Sequence, residues 1–383
     1  LPIYFIISGG SNTDMIFDFA RALKDLEKKG RKVAAIGQIT STLPFMYGDD
    51  CGNIGLFDFM LEQDFPLFPV PKPSVSTVDH MIGFYASTLI KDGGTIQIGI
   101  GALADGIINS IIMRHEHSDE YKKFIEATGC MEKFKKSINR WGGIEPFKEG
   151  LHVNSELLVA PLLHLLKKGI IKRMVYDHQG IQQLVSEKKI TDNKVPKNII
   201  ETLLEFKGIQ TLMTQEDFEG LQKFGVLNPG LKYKNFEIIT EAGEKISTDL
   251  RDKANIAAIQ NKCLGNELKE GYLIGAAFFL GSQYFYDELL KLDEEIRKKI
   301  HMNSVLKINT LYGDEKLRRM QRVHARHINT AMYATLLGGV ASDQLEDGRV
   351  VSGVGGQFNF VEMAHALSPQ GGRAIITLKS THG

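Results

Sequence analysis

Two stretches of this chain put glycines where backbone amides could gather on an anion, and one isolated acid stands where a nucleophile could. The first stretch is Ser352-Gly353-Val354-Gly355-Gly356, followed by Gln357-Phe358-Asn359-Phe360. Glycines at 353, 355 and 356 free the backbone for positive φ and leave no Cβ to hold a ligand away. Consecutive N–H groups in such a loop can converge on an oxyanion. A tight glycine hairpin without a ligand fits the same residues, with Arg349-Val350-Val351 as a short strand before it.

The second stretch is a strand, Thr95–Ile98, running into Gly99-Ile100-Gly101-Ala102-Leu103-Ala104-Asp105-Gly106, with a helix expected from about Ile107. Strand, glycine turn and helix N-terminus together bring amides and the positive helix end to a phosphate or a thioester oxygen. Gly99-x-Gly101-x-x-Ala104 also meets the loose dinucleotide fingerprint, which makes a nicotinamide-dependent oxidoreductase an alternative reading. That reading needs an acid at the end of a strand about 20 residues on. Glu116 and Asp119 fall instead in the polar run 114–121, where no strand is expected.

The isolated acid is Glu156. Leu151–Asn154 reads as a strand and Leu157–Lys168 as an amphipathic helix, so Glu156 stands at a strand-to-helix corner. Such corners carry functional side chains in open parallel sheets. An acid in a helix's first turn also simply complements the helix dipole. Other candidates are weaker. His115-Glu116-His117 has metal-compatible spacing but no evident third ligand, so no metal is expected. Arg322-Val323-His324-Ala325-Arg326-His327 reads as a solvent-facing basic patch.

The elements that position these residues follow from pattern. Residues 3–8 read as a strand, Met15–Lys29 as a helix and Lys32–Ile39 as a second strand, a β-α-β unit implying an α/β fold with open, mostly parallel sheets flanked by helices. Four prolines between 66 and 73 mark a boundary, dividing the chain into 1–75 and 76–383. The charged, helical segments at about 113–150 and 181–270 read as insertions. Neither end of the sequence looks like a natural terminus, so a fragment is expected.

Over 383 residues, Lys plus Arg and Asp plus Glu are both 46, and a net charge of zero argues against a nucleic-acid partner. The longest apolar run, Tyr272–Leu280, is too short to span a membrane. Three scattered cysteines, Cys51, Cys130 and Cys263, fit a reducing compartment, and hence the cytoplasm.

Taken in order, several stretches resemble the acetyl-CoA hydrolase/transferase family, the relatives of 4-hydroxybutyrate and acetate CoA-transferases. They are Ile82–Ala102, Leu151–Glu156, Phe279–Asp287, Ile328–Ala331, Ser352–Phe360 and Gly371–Thr381, together with the connection Val33–Pro71. The resemblance implies two CoA-transferase-like domains, the first truncated and the second carrying the insertions. It implies that Glu156 is a nucleophile forming a glutamyl-CoA thioester, and that Gly99, Ile100, Gly101, Ala102, Leu103, Ser352 and Gly356 contact CoA. CoA would be a co-substrate, with no other cofactor. Acyl-CoA and small carboxylates would be the partners, in a homo-oligomer. A non-catalytic acyl-CoA sensor is a further alternative. Lys379, Asn359 and His382-Gly383 depart from the residues the family usually has.

Overall fold

The computed structural model describes residues 6–11, 15–49, 51–64, 69–70 and 74–380. Most of the proline-rich boundary at 64–73, the start of the first expected strand, and His382-Gly383 therefore lie outside the described residues.

The centre is a six-stranded sheet. Its strands are β1 (Thr95–Ile98), β2 (His152–Leu158), β3 (Ile274–Phe279), β4 (Ile300–Met302), β5 (Arg326–Thr330) and β6 (Arg373–Thr377). The spatial order is β4-β3-β2-β1-β5-β6, and every neighbouring pair is parallel. All four residues of β1 are buried, as expected for a strand covered on both faces. The chain runs outward from β1 through β2 and β3 to β4, then returns to the other side of β1 for β5 and β6. The reversal between β1 and β5 is a topological switch point, where an open parallel sheet leaves a crevice at its strand ends.

Five helices matter for the site: α1 (Thr77–Ser87), α2 (Ala102–Glu116), α3 (Ala160–Lys167), α4 (Val305–Asn309) and α5 (Gln357–Ala366). A capping box between Ser76 and Asp79 starts α1, and Lys379 reaches Asp79 at 3.2 Å. Burial of Asp79 works against its charge, and the bonds from Ser76 and Lys379 outweigh it, holding its carboxyl below the usual range. Helices α1 and α2 cross at glycines. A Cβ on Gly106 would stand 2.5 Å from Asp79 O, and one on Gly83 would enter the Gly106 backbone.

The β-α-β unit expected at the start does not form. Ile6–Ser8 pairs antiparallel with Cys51–Asn53, and Ile36–Ile39 pairs parallel with Phe59–Glu62. The nearer partner prevails because Asp58 ties itself to Ala35. The Ala35 N–H donates to Asp58 Oδ2 and the Asp58 N–H to Ala35 O, both at 2.8 Å.

Residues 174–272 with 314–321 form a second compact unit. Its own core includes Ile181, Leu203, Phe218, Ile238 and Ile259. The sequence pattern pointed to helices here. The unit also holds an antiparallel meander of three three-residue strands, Lys232–Lys234, Glu237–Ile239 and Lys245–Ser247, too short to show an alternating pattern. No helix among the described residues is long and apolar enough to cross a membrane.

The expected basic patch at 322–327 is interior. Arg322, Arg326 and His327 are buried, because each arginine is spent on backbone carbonyls and residues 326–330 are a central strand. Burial pushes both His324 and His327 down to about 4. The folded chain thus holds them neutral while the unfolded chain protonates them near pH 6.5. Between pH 6.5 and 4 the unfolded state binds more protons, so their contribution to stability is complete above that window and is lost as pH falls through it. The expected slope is about 1.4 kcal/mol per pH unit for each histidine. Urea midpoints measured from pH 7 to 4 should fall accordingly. His324→Asn should flatten the slope by about one proton, since asparagine tolerates the left-handed backbone at this position (φ 49°). An unchanged slope would contradict the assignment.

Candidate active site

Strand β2 runs further than the pattern suggested. Ser155, Leu157 and Leu158 stay in register with Ala276, Phe278 and Phe279 of β3, and Pro161 sits in the first turn of α3, which begins only at Ala160. Glu156 is therefore within the strand rather than at a helix start. It is half-buried near the C-terminal end of β2 and faces a cleft of about 700 Å³.

Among the described residues the carboxylate has one side-chain partner. Asn309 at the end of α4 donates from Nδ2 to Glu156 Oε2 at 3.0 Å. Two residues earlier on the same face of β2, Asn154 donates to Ile308 O at 3.0 Å. Among the described residues no donor reaches Glu156 Oε1. Sequence reasoning missed Asn309, because Lys307-Ile308-Asn309-Thr310 carries no motif and the pairing spans 153 positions.

Gly356 closes the other side. A Cβ there would overlap Glu156 Oε2 and stand 2.7 Å from Asn309 Nδ2. The glycine is thus required by close approach. None of Gly353, Gly355 and Gly356 has positive φ, and Cβ atoms on Gly353 or Gly355 would meet open space. The strand expected at 349–351 reduces to one bridge between Val350 and Gln344, because Val351 and Ser352 donate instead to the Asp343 carbonyl. Gly356 is also the N-cap of α5, so the free amides and positive end of that helix begin beside the carboxylate.

The β1 loop is tighter than expected. Helix α2 starts at Ala102, five residues early, because Gly101 takes φ 106° and turns the chain straight out of the strand. Gly99 and Ile100 line the same cleft as Glu156, Ser352 and Gly356. Gly101 lines a smaller adjoining pocket with Gly99 and Ile100. Ala102 and Leu103 line neither, and Leu103 belongs to the core. At the switch point, Gln97 of β1 and Asn329 of β5 exchange two amide hydrogen bonds of 3.1 and 3.2 Å on the cleft wall. The His115 ring accepts from the Phe147 N–H, and the described residues hold no cluster of three side chains suited to a metal.

Residues 281–383, which contain α4, β5, the glycine loop, α5 and β6, match the acetyl-CoA hydrolase/transferase C-terminal domain. The match is confined to residues 281–383. Asn309, Ser352 and Gly356 lie within it, whereas Glu156 and Gly99 lie upstream. A 4-hydroxybutyrate coenzyme A transferase of Clostridium kluyveri is 26% identical over 103 residues, 27% of this chain and 24% of that protein. A succinyl-CoA:cyclohexane-1-carboxylate CoA transferase of Geobacter metallireducens is 28% identical over 89 residues, 23% of this chain and 20% of that protein. Both relatives are enzymes.

Similarity of fold extends beyond the matched segment. A solved variant of RipA, a protein known from Yersinia pestis, is similar over 100% of this chain with a TM-score of 0.54 and 17% identity, and the match covers 53% of that structure. A second RipA variant matches 99% of this chain with a TM-score of 0.53. The chain thus spans about half the length of these structures, and the matches to the two transferases span about a quarter or less of theirs.

Proposed function

We propose that this chain moves CoA between an acyl-CoA and a small carboxylate, or hydrolyses an acyl-CoA, through a glutamyl-CoA thioester on Glu156. The observation that carries this reading is the Glu156 carboxylate, held by Asn309 against Gly356 in the switch-point cleft. The family match of the C-terminal segment supports it. In this reading residues 76–383 form the catalytic domain, and Gly99–Gly101 with Ser352 and Gly356 face CoA.

Glu156 Oε1, which no donor among the described residues reaches, attacks the thioester carbonyl. The C–S bond breaks, leaving an acyl-glutamyl anhydride and CoA thiolate. The thiolate then attacks the glutamyl carbonyl and expels the first carboxylate, which takes Oε1 with it. Oε2 remains as the carbonyl oxygen of the glutamyl-CoA thioester. It carries the negative charge in the tetrahedral intermediate of this second step, and Asn309 Nδ2 already points at it. A second carboxylate reverses the sequence, and water in its place completes hydrolysis. Loss of one such donor typically costs 10²–10³-fold in rate.

Intact-protein mass spectrometry after incubation with acetyl-CoA tests the proposal. A CoA-sized adduct is expected on the wild type and none on Glu156→Gln. Discharge by added acetate identifies a transferase, and discharge at the same rate by water identifies a hydrolase. Binding of CoA without any adduct would favour a sensor instead.

A further inference from the structure

We propose that Arg322 is a positioning residue, which fixes the end of α4 so that the Asn309 amide meets Glu156. The inference rests on the reading of Glu156 given above. Helix α4 is five residues long, too short to persist on its own hydrogen bonds, and it ends at the residue touching the carboxylate. Side chains take up its last carbonyls. Arg322 donates from Nη2 to Lys307 O at 2.6 Å and from Nη1 to Thr310 O at 2.9 Å. Asn154 donates to Ile308 O between them. The carbonyls on both sides of Asn309 are therefore anchored, one of them from the strand that bears Glu156.

Arg322 is only 2% exposed and does not line the cleft, so it acts through Asn309 rather than on substrate. Its planar fork suits two carbonyls at once, and its charge sits at the negative end of the helix. Lysine keeps the charge but not the fork. A role confined to stability would add its effect to that of any other change in the site. A positioning role has nothing left to act on once the Asn309 amide is gone.

The experiment measures the rate of CoA-adduct formation from acetyl-CoA in the full chain, in a cycle of wild type, Arg322→Lys, Asn309→Ala and the double variant, with thermal midpoints recorded alongside. Arg322→Lys is expected to slow adduct formation about tenfold or more through displacement of the amide. The double variant is expected to be no slower than Asn309→Ala alone. Additive rate losses, or an unchanged rate in Arg322→Lys, overturn the proposal. If the lysine variant does not fold, Arg322→Gln, which keeps an N–H donor on a shorter, uncharged side chain, enters the same cycle. Absence of an adduct on the wild type overturns the reading of Glu156 itself, and the proposal with it. The two failures are thus told apart by the wild type.

Discussion

Gly356→Ala is expected to abolish measurable adduct formation at Glu156 while the protein stays folded. The backbone at Gly356 has φ −72°, which alanine adopts freely, so the substitution carries no conformational cost of its own. The added methyl instead enters the space of Glu156 Oε2 and crowds Asn309 Nδ2. Either the carboxylate swings away from its donor or α5 moves back from the cleft. A shift on the order of 1 Å at a reacting group costs roughly 10²-fold, and here donor and proposed nucleophile shift together. Adduct kinetics by intact mass, with a circular dichroism spectrum to show the fold, check this. A rate within a few-fold of wild type would mean that the carboxylate does not need the position described.

The largest effect on stability is expected from Arg326→Met. This guanidinium donates to the carbonyls of Leu89, His324, Ala325, Gly371 and Trp141, joining the end of the α1 segment, the start of β5 and the turn before β6. Methionine matches its bulk and removes the guanidinium donor from the carbonyls of Leu89, His324, Gly371 and Trp141, while Ala325 O still accepts from the Arg373 N–H. At about 1–3 kcal/mol for each buried unsatisfied group, the total reaches the whole stability of an ordinary domain, about 5–15 kcal/mol. Arg326→Met should therefore fail to accumulate as folded protein, and Arg326→Lys should fall between. The reporter is built in. Trp141, the sole tryptophan, lies 3.5 Å from the Arg373 guanidinium and 4.4 Å from that of Arg140, so its emission should change as this corner opens. A urea midpoint for Arg326→Met close to that of wild type would refute the account.

What could be read from the sequence was what is local. The strand at 95–98 and the glycine turn that follows it could be read directly, and the apolar run 272–280 overlaps β3. Glu156 was legible as an acid at a strand end, although Pro161 and the pairing with β3 place the helix later than amphipathic spacing suggested. Partners distant in sequence could not be read. Nothing in Lys307–Thr310 points to Glu156, and nothing in Arg322–His327 separates a solvated cluster from arginines each spent on buried carbonyls. The glycines at 353, 355 and 356 look equivalent as letters. Only the fold shows that a carboxylate presses on the third.

The separation of Glu156 from Asn309 also has a consequence during synthesis. At about 5–20 residues per second, the 153 positions between them take on the order of ten to thirty seconds to emerge from a ribosome. Strand β2 leaves the exit tunnel long before β3 arrives to pair with it, because the unit at 174–272 is made in between. That unit has its own core and can condense meanwhile, but the β2 edge stays open until residues 274–279 follow. Nascent chains stalled between these points expose one open edge of β2, the kind of edge that recruits chaperones or seeds aggregation. Throughout that interval the Glu156 carboxylate is without the Asn309 donor that holds it in the finished fold.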